Sequence, residues 1–156
     1  MRLEYGEFEI DDDPSRVDLD VVWGFLSTEA YWGRFRKRSD VEGQVRGSWR
    51  VLGAYRLADG SQVGFARAFG DGHTSAYLAD VFVLGEVRGR GLGKALIETM
   101  IDRGPGANFR WMLHTDDAHE LYARFGFVRP NGQFLERPPR HSDYGEREGT
   151  GSCDAS

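Results

Sequence analysis

The sequence predicts a single mixed α/β domain, and three observations lead to that fold class. Apolar patterning predicts strands early in the chain, followed by a strand–helix–strand–helix–strand order. The chain has 156 residues, of which 40% are hydrophobic, and this is enough for one packed core. It contains a single cysteine, Cys153, which excludes a disulfide framework, so the core itself must stabilise the fold.

The strands are predicted from period-2 alternation and from short apolar runs that end in turn residues. They are predicted at residues 4–10, 49–57, 61–69, 74–84 and 108–115, with "FVRP" and "GQFLERP" completing the sheet. Asp59 and Gly60 separate two of these strands and supply the backbone conformation of a hairpin turn. The strand at 74–84 is largely apolar, which predicts a central position in the sheet.

The helices are predicted from apolar residues at helical spacing and from capping residues. The first helix is expected to follow a cap at Ser15, and a second, short helix with a loop is expected within 30–48. The third is expected to begin at Leu92 and to end at 103–106, and the fourth is expected over 116–126. The final segment, 137–156, is rich in Pro, Gly, Ser and charge. We therefore predict one domain at 1–136 and a flexible tail at 137–156.

Charge and hydropathy limit the partners that we expect. The net charge is −5, so the basic run at 33–40 is predicted to be a solvated helix face and not a nucleic-acid site. No run of 18 apolar residues or signal-peptide core is present, which predicts a soluble cytoplasmic protein without a membrane partner. The spacing of His114, Asp116, Asp117 and His119 matches no usual zinc pattern, so we expect no metal.

A glycine-rich loop at 88–93 precedes the helix predicted from Leu92. Glycines allow a backbone to approach an anion closely, and a helix N-terminus offers free amide N–H groups and a positive dipole end. Ala95 follows Lys94 where a Walker motif needs a hydroxyl, and Lys94 occupies the third glycine position of the dinucleotide fingerprint. The loop alone is explained equally well by a diphosphate site or by a basic turn.

Two motifs together resemble the GCN5-related N-acetyltransferases (GNAT family). Arg88-x-x-Gly91-x-Gly93 follows "LADVFVLGEV", and "AHELYARFGF" (118–127) lies downstream, so the resemblance covers about residues 49–128. It implies a mostly antiparallel central sheet that is flanked by helices and splayed between its fourth and fifth strands. It also implies acetyl-CoA as the acyl-donor cosubstrate and makes a homodimer possible.

The same resemblance assigns the coenzyme contacts. Phe82 and Val83 are expected along the pantetheine arm. The pyrophosphate is expected on the loop and the helix start, formed by Arg88, Gly89, Arg90, Gly91, Leu92, Gly93 and Lys94. Thr115 stands where the family often has asparagine, and its hydroxyl is expected to replace part of that contact.

Two residues are candidates for the chemistry. The resemblance places the Tyr122 hydroxyl at the coenzyme sulfur as a general acid, while the alternative is a ring packed beside Leu121 and Phe125. Asp80 is a carboxylate inside the apolar run "YLADVFV". It could deprotonate the substrate, hold its ammonium group or accept structural hydrogen bonds. The amide of Val83 is the candidate oxyanion donor.

The acceptor side is predicted less sharply. In the family the segment between the first two helices borders the acceptor site, which implies Tyr31, Trp32, Arg34 and Trp49, with core packing as the alternative for the aromatic residues. His114 ends a strand and could face the same cleft. The predicted function is direct acetyl transfer from acetyl-CoA to a primary amine of a small molecule. The alternatives are a peptide or protein amine, or a non-catalytic acyl-CoA sensor.

Overall fold

A six-stranded sheet with the order β1–β2–β3–β4–β5–β6 forms the centre of the computed structural model, which describes residues 1–31 and 36–138. The strands are β1 (Arg2–Tyr5), β2 (Phe8–Asp11), β3 (Arg50–Arg56), β4 (Gln62–Gly70), β5 (Ser75–Val83) and β6 (Arg110–Met112). All neighbours pair antiparallel except β5 and β6, which are parallel. The predicted mixed α/β class with a mostly antiparallel sheet is confirmed.

Helices cover both faces of this sheet. They are α1 (Leu19–Thr28), α2 (Arg38–Arg46), α3 (Leu92–Ile101) and α4 (His119–Ala123). The predicted start of α3 at Leu92 and the hairpin at Asp59 and Gly60 are found, with Gly60 at φ +72° in the turn. Among residues 1–31 and 36–138, no helix has the length and apolar character needed to cross a membrane.

The core consists of two layers, one on each face of the sheet. Val51 and Leu52 are consecutive in β3 and lie in different layers, as the period of a strand requires. The first layer joins the sheet to α3 through buried residues such as Leu52, Leu78, Leu92, Leu96 and Met100. The second joins it to α1 and α2, where the Phe25 and Phe82 rings stack with centroids 4.1 Å apart.

The sheet opens between β5 and β6. Within the described residues their pairing extends from Ser75 and Arg110 to Tyr77 and Met112, whereas β5 itself continues to Val83. The predicted splay between the fourth and fifth strands is therefore confirmed. These strands are the fifth and sixth of the molecule because the N-terminal segment contributes one strand more than predicted.

Several predicted element boundaries are wrong. The segment 4–10 is a hairpin of β1 and β2, because Gly6 adopts φ +60° and turns the chain. The N-cap of α1 is Asp18 and not Ser15, since the Asp18 carboxylate accepts hydrogen bonds from the Asp20 and Val21 amides. Ser15 lies in the preceding 3-10 turn, where its amide and hydroxyl donate to Asp13.

The C-terminal elements are shorter than predicted. Strand β6 and helix α4 occupy only parts of 108–115 and 116–126, and "FVRP" and "GQFLERP" form no strand in the part of the chain that the structure describes. Val128 and Leu135 are 86% and 90% exposed, so these apolar residues have no sheet to cover. Alternation in a sequence does not show whether a partner strand is available. Residues 139–156 of the predicted tail lie outside the described residues.

Arg50 caps the C-terminal end of α3 from within the core. Its Nη1 donates to the carbonyl oxygens of Thr99, Met100 and Arg103 at 3.0–3.1 Å, and its Nη2 lies 3.2 Å from Asp12 Oδ2. The last carbonyls of a helix lack partners within the helix and carry its negative dipole end. One buried cation therefore stabilises the helix end and joins it to β3.

We expect the substitution Arg50→Met to lower the free energy of unfolding by about 2 to 4 kcal/mol, because buried carbonyls and Asp12 lose their partner. Urea denaturation measures this change. Arg103→Met is the matched control, since the Arg103 side chain is exposed and pairs with Glu98 at 2.8 Å. Its expected cost is below about 1 kcal/mol. Equal losses for the two variants would contradict the capping role of Arg50.

Candidate active site

The glycine loop leads directly into the N-terminus of α3. Gly89 and Gly91 adopt φ +81° and +78°, a left-handed conformation that disfavours a side chain. Gly91 is the N-cap residue of α3, and within the described residues no side chain caps this end. The first amides of α3 are therefore available to an anion.

The space around this loop fits a ligand on one side and a structural contact on the other. A Cβ at Gly89 or Gly93 would meet no atom of the described residues within 4 Å. A Cβ at Gly91 would lie 2.5 Å from the Tyr5 hydroxyl, which itself donates to the Arg90 carbonyl oxygen at 3.4 Å. The N-terminal hairpin thus supports the loop on the side of Gly91, while the described residues leave space beside Gly89 and Gly93.

Both loop arginines are paired with carboxylates. Arg90 forms an ion pair with Glu7 in the β1–β2 turn, and Arg88 Nη2 lies 3.4 Å from Glu29 Oε2 at the end of α1. These side chains are about half exposed, so each pair is weak and an anion can compete with it. Nothing in the sequence pattern indicated these two glutamates, because the contacts are long-range.

Tyr122 lies on α4, the short helix that follows β6. Its ring packs edge-on against Phe127 with centroids 5.7 Å apart, and it contacts the core layer beneath α3 together with Leu121 and Phe125. Burial raises the pKa of the Tyr122 hydroxyl to about 12, and the nearby Tyr31 and Asp117 act in the same direction. The hydroxyl therefore keeps its proton at neutral pH.

Thr115 begins the turn that leads to α4. Its Oγ1 accepts a hydrogen bond from the Ala118 amide at 3.0 Å. This contact satisfies one of the free amides at the start of α4. The expected contact of the Thr115 hydroxyl with a coenzyme stays a prediction.

Asp80 lies at a bulge in β5. Its φ is +52°, and the register with β4 shifts between Phe65 and Arg67. The buried carboxylate forms two hydrogen bonds with Arg36, at 2.7 and 2.9 Å, and one with Arg67 Nε at 2.6 Å. Burial alone would raise the pKa of Asp80, but the hydrogen bonds and charges of the two arginines lower it below 3.8.

The strand segment that follows Asp80 carries the two residues expected along the pantetheine arm. The Phe82 side chain is buried against Phe25, so a ligand could contact this residue through its backbone alone. Val83 pairs with Gly64 on the β4 side. Its other side faces the opening between β5 and β6, where an extended ligand could take the place of a strand.

The predicted acceptor residues are distributed over different places. Tyr31 is 39% exposed and lies close enough to Tyr122 to affect its pKa, whereas Trp32 and Arg34 lie outside the described residues. Trp49 packs on Phe109 at a centroid distance of 5.1 Å. Trp49 also packs on Trp111 and on the core layer that contacts α3, which supports the core-packing alternative for Trp49.

His114 is in contact with two residues that sequence reasoning did not select. The Tyr77 hydroxyl contacts its Nδ1, and Glu136 Oε2 lies 3.0 Å from its Nε2. Tyr77 stacks on Phe69 with ring centroids 4.9 Å apart. The alternation of β5 could have placed Tyr77 on this face, but Glu136 comes from an irregular segment and carries no sequence signal.

Three comparisons agree with this geometry. A family model described as an acetyltransferase (GNAT) domain matches residues 50–129. A Gibberella zeae protein assigned as an acetyltransferase, FG08082, is 31% identical over 110 residues, which are 69% of this chain and 60% of that protein. The chain thus spans about three fifths of the length of this curated relative.

Solved structures give the same result. A protein of Xanthomonas campestris pv. campestris described as belonging to the GNAT family is 36% identical, with a TM-score of 0.78 over 87% of this chain and 96% of that one. A Deinococcus radiodurans R1 protein assigned as an acetyltransferase has 24% identity and a TM-score of 0.66, covering 88% of this chain and 94% of that one, and it supports the fold. The glycine loop and the tyrosine helix both lie within the matched region, and the chain belongs to the GNAT acetyltransferase family.

Proposed function

We propose that this chain transfers an acetyl group from acetyl-CoA directly to a primary amine of a small molecule. The observation that carries the proposal is that the N-terminus of α3 is uncapped among the described residues behind an open glycine loop. The segment after β6 adds a tyrosine that keeps its proton. Bound acetyl-CoA would supply the thioester. The chain would supply binding, orientation and proton transfer.

The coenzyme is assigned to the opening of the sheet. The amides of Leu92, Gly93 and Lys94 bind the pyrophosphate, with Arg88 and Arg90 released from their glutamates. The backbone of Phe82 and Val83 pairs with the pantetheine arm along the free side of β5, and the Val83 amide donates to the developing oxyanion. Thr115 contributes its hydroxyl.

Tyr122 is the proposed general acid. Its hydroxyl is protonated at neutral pH, so a proton is available for the departing thiolate. The packing alternative and the catalytic role are compatible, because the ring makes the contacts with Phe127 and the core and the proposed chemistry uses only the hydroxyl.

Asp80 is proposed as a structural residue and not as the base. A carboxylate whose pKa is lowered by two arginines is a poor proton acceptor at neutral pH. Its ion pairs instead connect β5, β4 and the segment before α2. This is the third of the roles that the sequence left open.

Release of free thiol from acetyl-CoA, measured with a panel of small amines and amine-bearing peptides, tests the function. Turnover with small primary amines supports the proposal. Turnover with peptides alone favours a peptide or protein acceptor. Coenzyme binding without turnover across the panel would favour an acyl-CoA sensor and would contradict the proposal.

The substitution Gly93→Glu tests the coenzyme loop. Gly93 is helical and open, so a side chain is tolerated structurally, but a carboxylate there would repel the pyrophosphate. We expect the affinity for acetyl-CoA, measured calorimetrically, to fall by about 100-fold or more. Gly43→Glu is the matched control, because Gly43 is an open helical position in α2. Equal affinities of the two variants would contradict the loop assignment.

The substitution Tyr122→Phe tests the acid. It keeps the ring contact with Phe127 and removes only the hydroxyl, so we expect kcat to fall by about 100-fold while the Kd for acetyl-CoA changes less than about twofold. Because the pKa of Tyr122 is about 12, ionisation of this residue should not reduce the wild-type rate up to about pH 10. An unchanged kcat would show that another group delivers the proton.

The substitution Asp80→Asn separates a structural from a catalytic role. We expect the free energy of unfolding to fall by about 3 to 5 kcal/mol, because two arginines lose a buried anion. The folded-state pKa of Asp80 lies below 3.8, so its stabilising contribution is present above pH 3.8 and is lost as the pH falls through the folded-state pKa. The variant should lack this acid-dependent loss in urea titrations.

Asp102→Asn, at the exposed C-cap position of α3, is the control for Asp80→Asn. The kcat of folded Asp80→Asn protein should stay within about threefold of the wild-type value across the neutral range, since a positioning role changes the rate less than loss of a base does. A loss of 100-fold or more in kcat with stability unchanged would make Asp80 the base.

A further inference from the structure

Three polar side chains form a hydrogen-bonded chain on the face of the sheet that α1 and α2 cover. The Tyr77 hydroxyl contacts His114 Nδ1, and His114 Nε2 lies 3.0 Å from Glu136 Oε2. Tyr77 is on β5, His114 follows the end of β6, and Glu136 belongs to the segment after α4. The three residues come from different parts of the sequence and meet where β5 and β6 begin to separate.

The partners determine the state of the imidazole. The carboxylate of Glu136 is an acceptor, so Nε2 carries the proton in the neutral ring and Nδ1 presents its lone pair to the tyrosine. Burial raises the pKa of Tyr77, so its hydroxyl stays protonated and donates to Nδ1. The His114 backbone also acts on the Tyr77 oxygen through a hydrogen bond, and the second lone pair of that oxygen is an acceptor site.

We propose that Tyr77, His114 and Glu136 are the proton-accepting chain of the acetyl transfer, with the Tyr77 oxygen facing the substrate ammonium; this rests on the proposed function. The Tyr77 oxygen takes one ammonium proton while its own proton passes to His114 Nδ1, and Glu136 stabilises the imidazolium that results. The neutral amine nitrogen then forms the bond to the acyl carbon, and the bond from that carbon to sulfur breaks.

The protons balance over one turnover. Tyr122 gives its proton to the departing sulfur and regains one from the nitrogen of the new amide. His114 releases the other proton to solvent through its exposed ring, since 58% of the His114 side chain is accessible. The net products are the amide, the free thiol and one proton, and no further reactant is needed.

The surroundings suit this role better than those of Asp80. The Phe69 ring stacks on the Tyr77 ring, and this contact orients the Tyr77 side chain. Glu136, Arg67 and Asp80 are the charged groups acting on Tyr77, and the Asp80 charge is matched by arginines. His114 and Tyr122 are carried by one continuous segment, through the turn that Thr115 caps. The base and the acid therefore lie on linked elements.

Kinetics of His114→Gln, Glu136→Gln and Tyr77→Phe test the chain. We expect kcat/KM for the amine at neutral pH to fall by about 100-fold for His114→Gln and about 10-fold for the other two, with the Kd for acetyl-CoA unchanged. The loss should shrink towards about pH 10, where the amine is increasingly neutral in solution. The controls are His73→Gln and Glu98→Gln, which alter exposed residues on the β4–β5 turn and on α3.

The tautomer of His114 provides a readout that does not depend on turnover. Ring nitrogen NMR of wild-type protein should show a proton on Nε2 and a bare Nδ1, and this preference should weaken in Glu136→Gln. A proton on Nδ1 in the neutral wild-type ring would overturn the proposal. If the wild-type protein transfers acetyl groups and His114→Gln keeps the wild-type pH–rate profile, the proposed proton-accepting chain is overturned while the proposed function stands. Absence of thiol release from wild-type protein would refute the proposed function and the chain together.

Discussion

The ion pairs of Asp80 with Arg36 and Arg67 are the interaction on which the architecture of the site depends. A non-glycine residue at φ +52° is strained, and a buried carboxylate without partners is costly. Two guanidinium groups offset both costs and hold β5 in its bulged form against β4. Arg36 also ties the segment that enters α2 to the sheet. The bulge, the neighbouring strand and this segment are therefore joined by one buried set of ion pairs beside the opening between β5 and β6.

The sequence predicted the parts of the fold whose signals are local. The Asp59 and Gly60 turn, the apolar β5 and the glycine loop before α3 each depend on a few adjacent residues, and all are present. The misplaced N-cap of α1 shows the limit of local reasoning, because Ser15 and Asp18 are both good capping residues and the surrounding turn decides between them. The final strands were predicted from alternation, yet a strand also requires a free edge to pair with.

The candidate site also contains residues that local sequence signals predict and residues that only long-range contacts identify. The donor half follows from two short motifs, so residues 88–94 and Tyr122 could be selected from the sequence. The sequence could not identify Glu7, Arg36 and Glu136, because each pairs with a residue that is distant in the chain. Charge pairing between such distant residues produces no local sequence pattern. Long-range electrostatics therefore decides which polar residues near the opening are structural and which are available for chemistry.

The pairing of both loop arginines also has a kinetic consequence for ligand capture. Arg88 and Arg90 each face a glutamate, and the whole chain carries a net charge of −5. The charges of these two arginines are therefore largely cancelled beyond a Debye length of about 8 Å at physiological salt. A polyanionic ligand receives little electrostatic steering on approach, and attraction begins only when the backbone amides of α3 are in reach. Selectivity for such a ligand therefore depends on close contact with the loop and not on attraction at a distance.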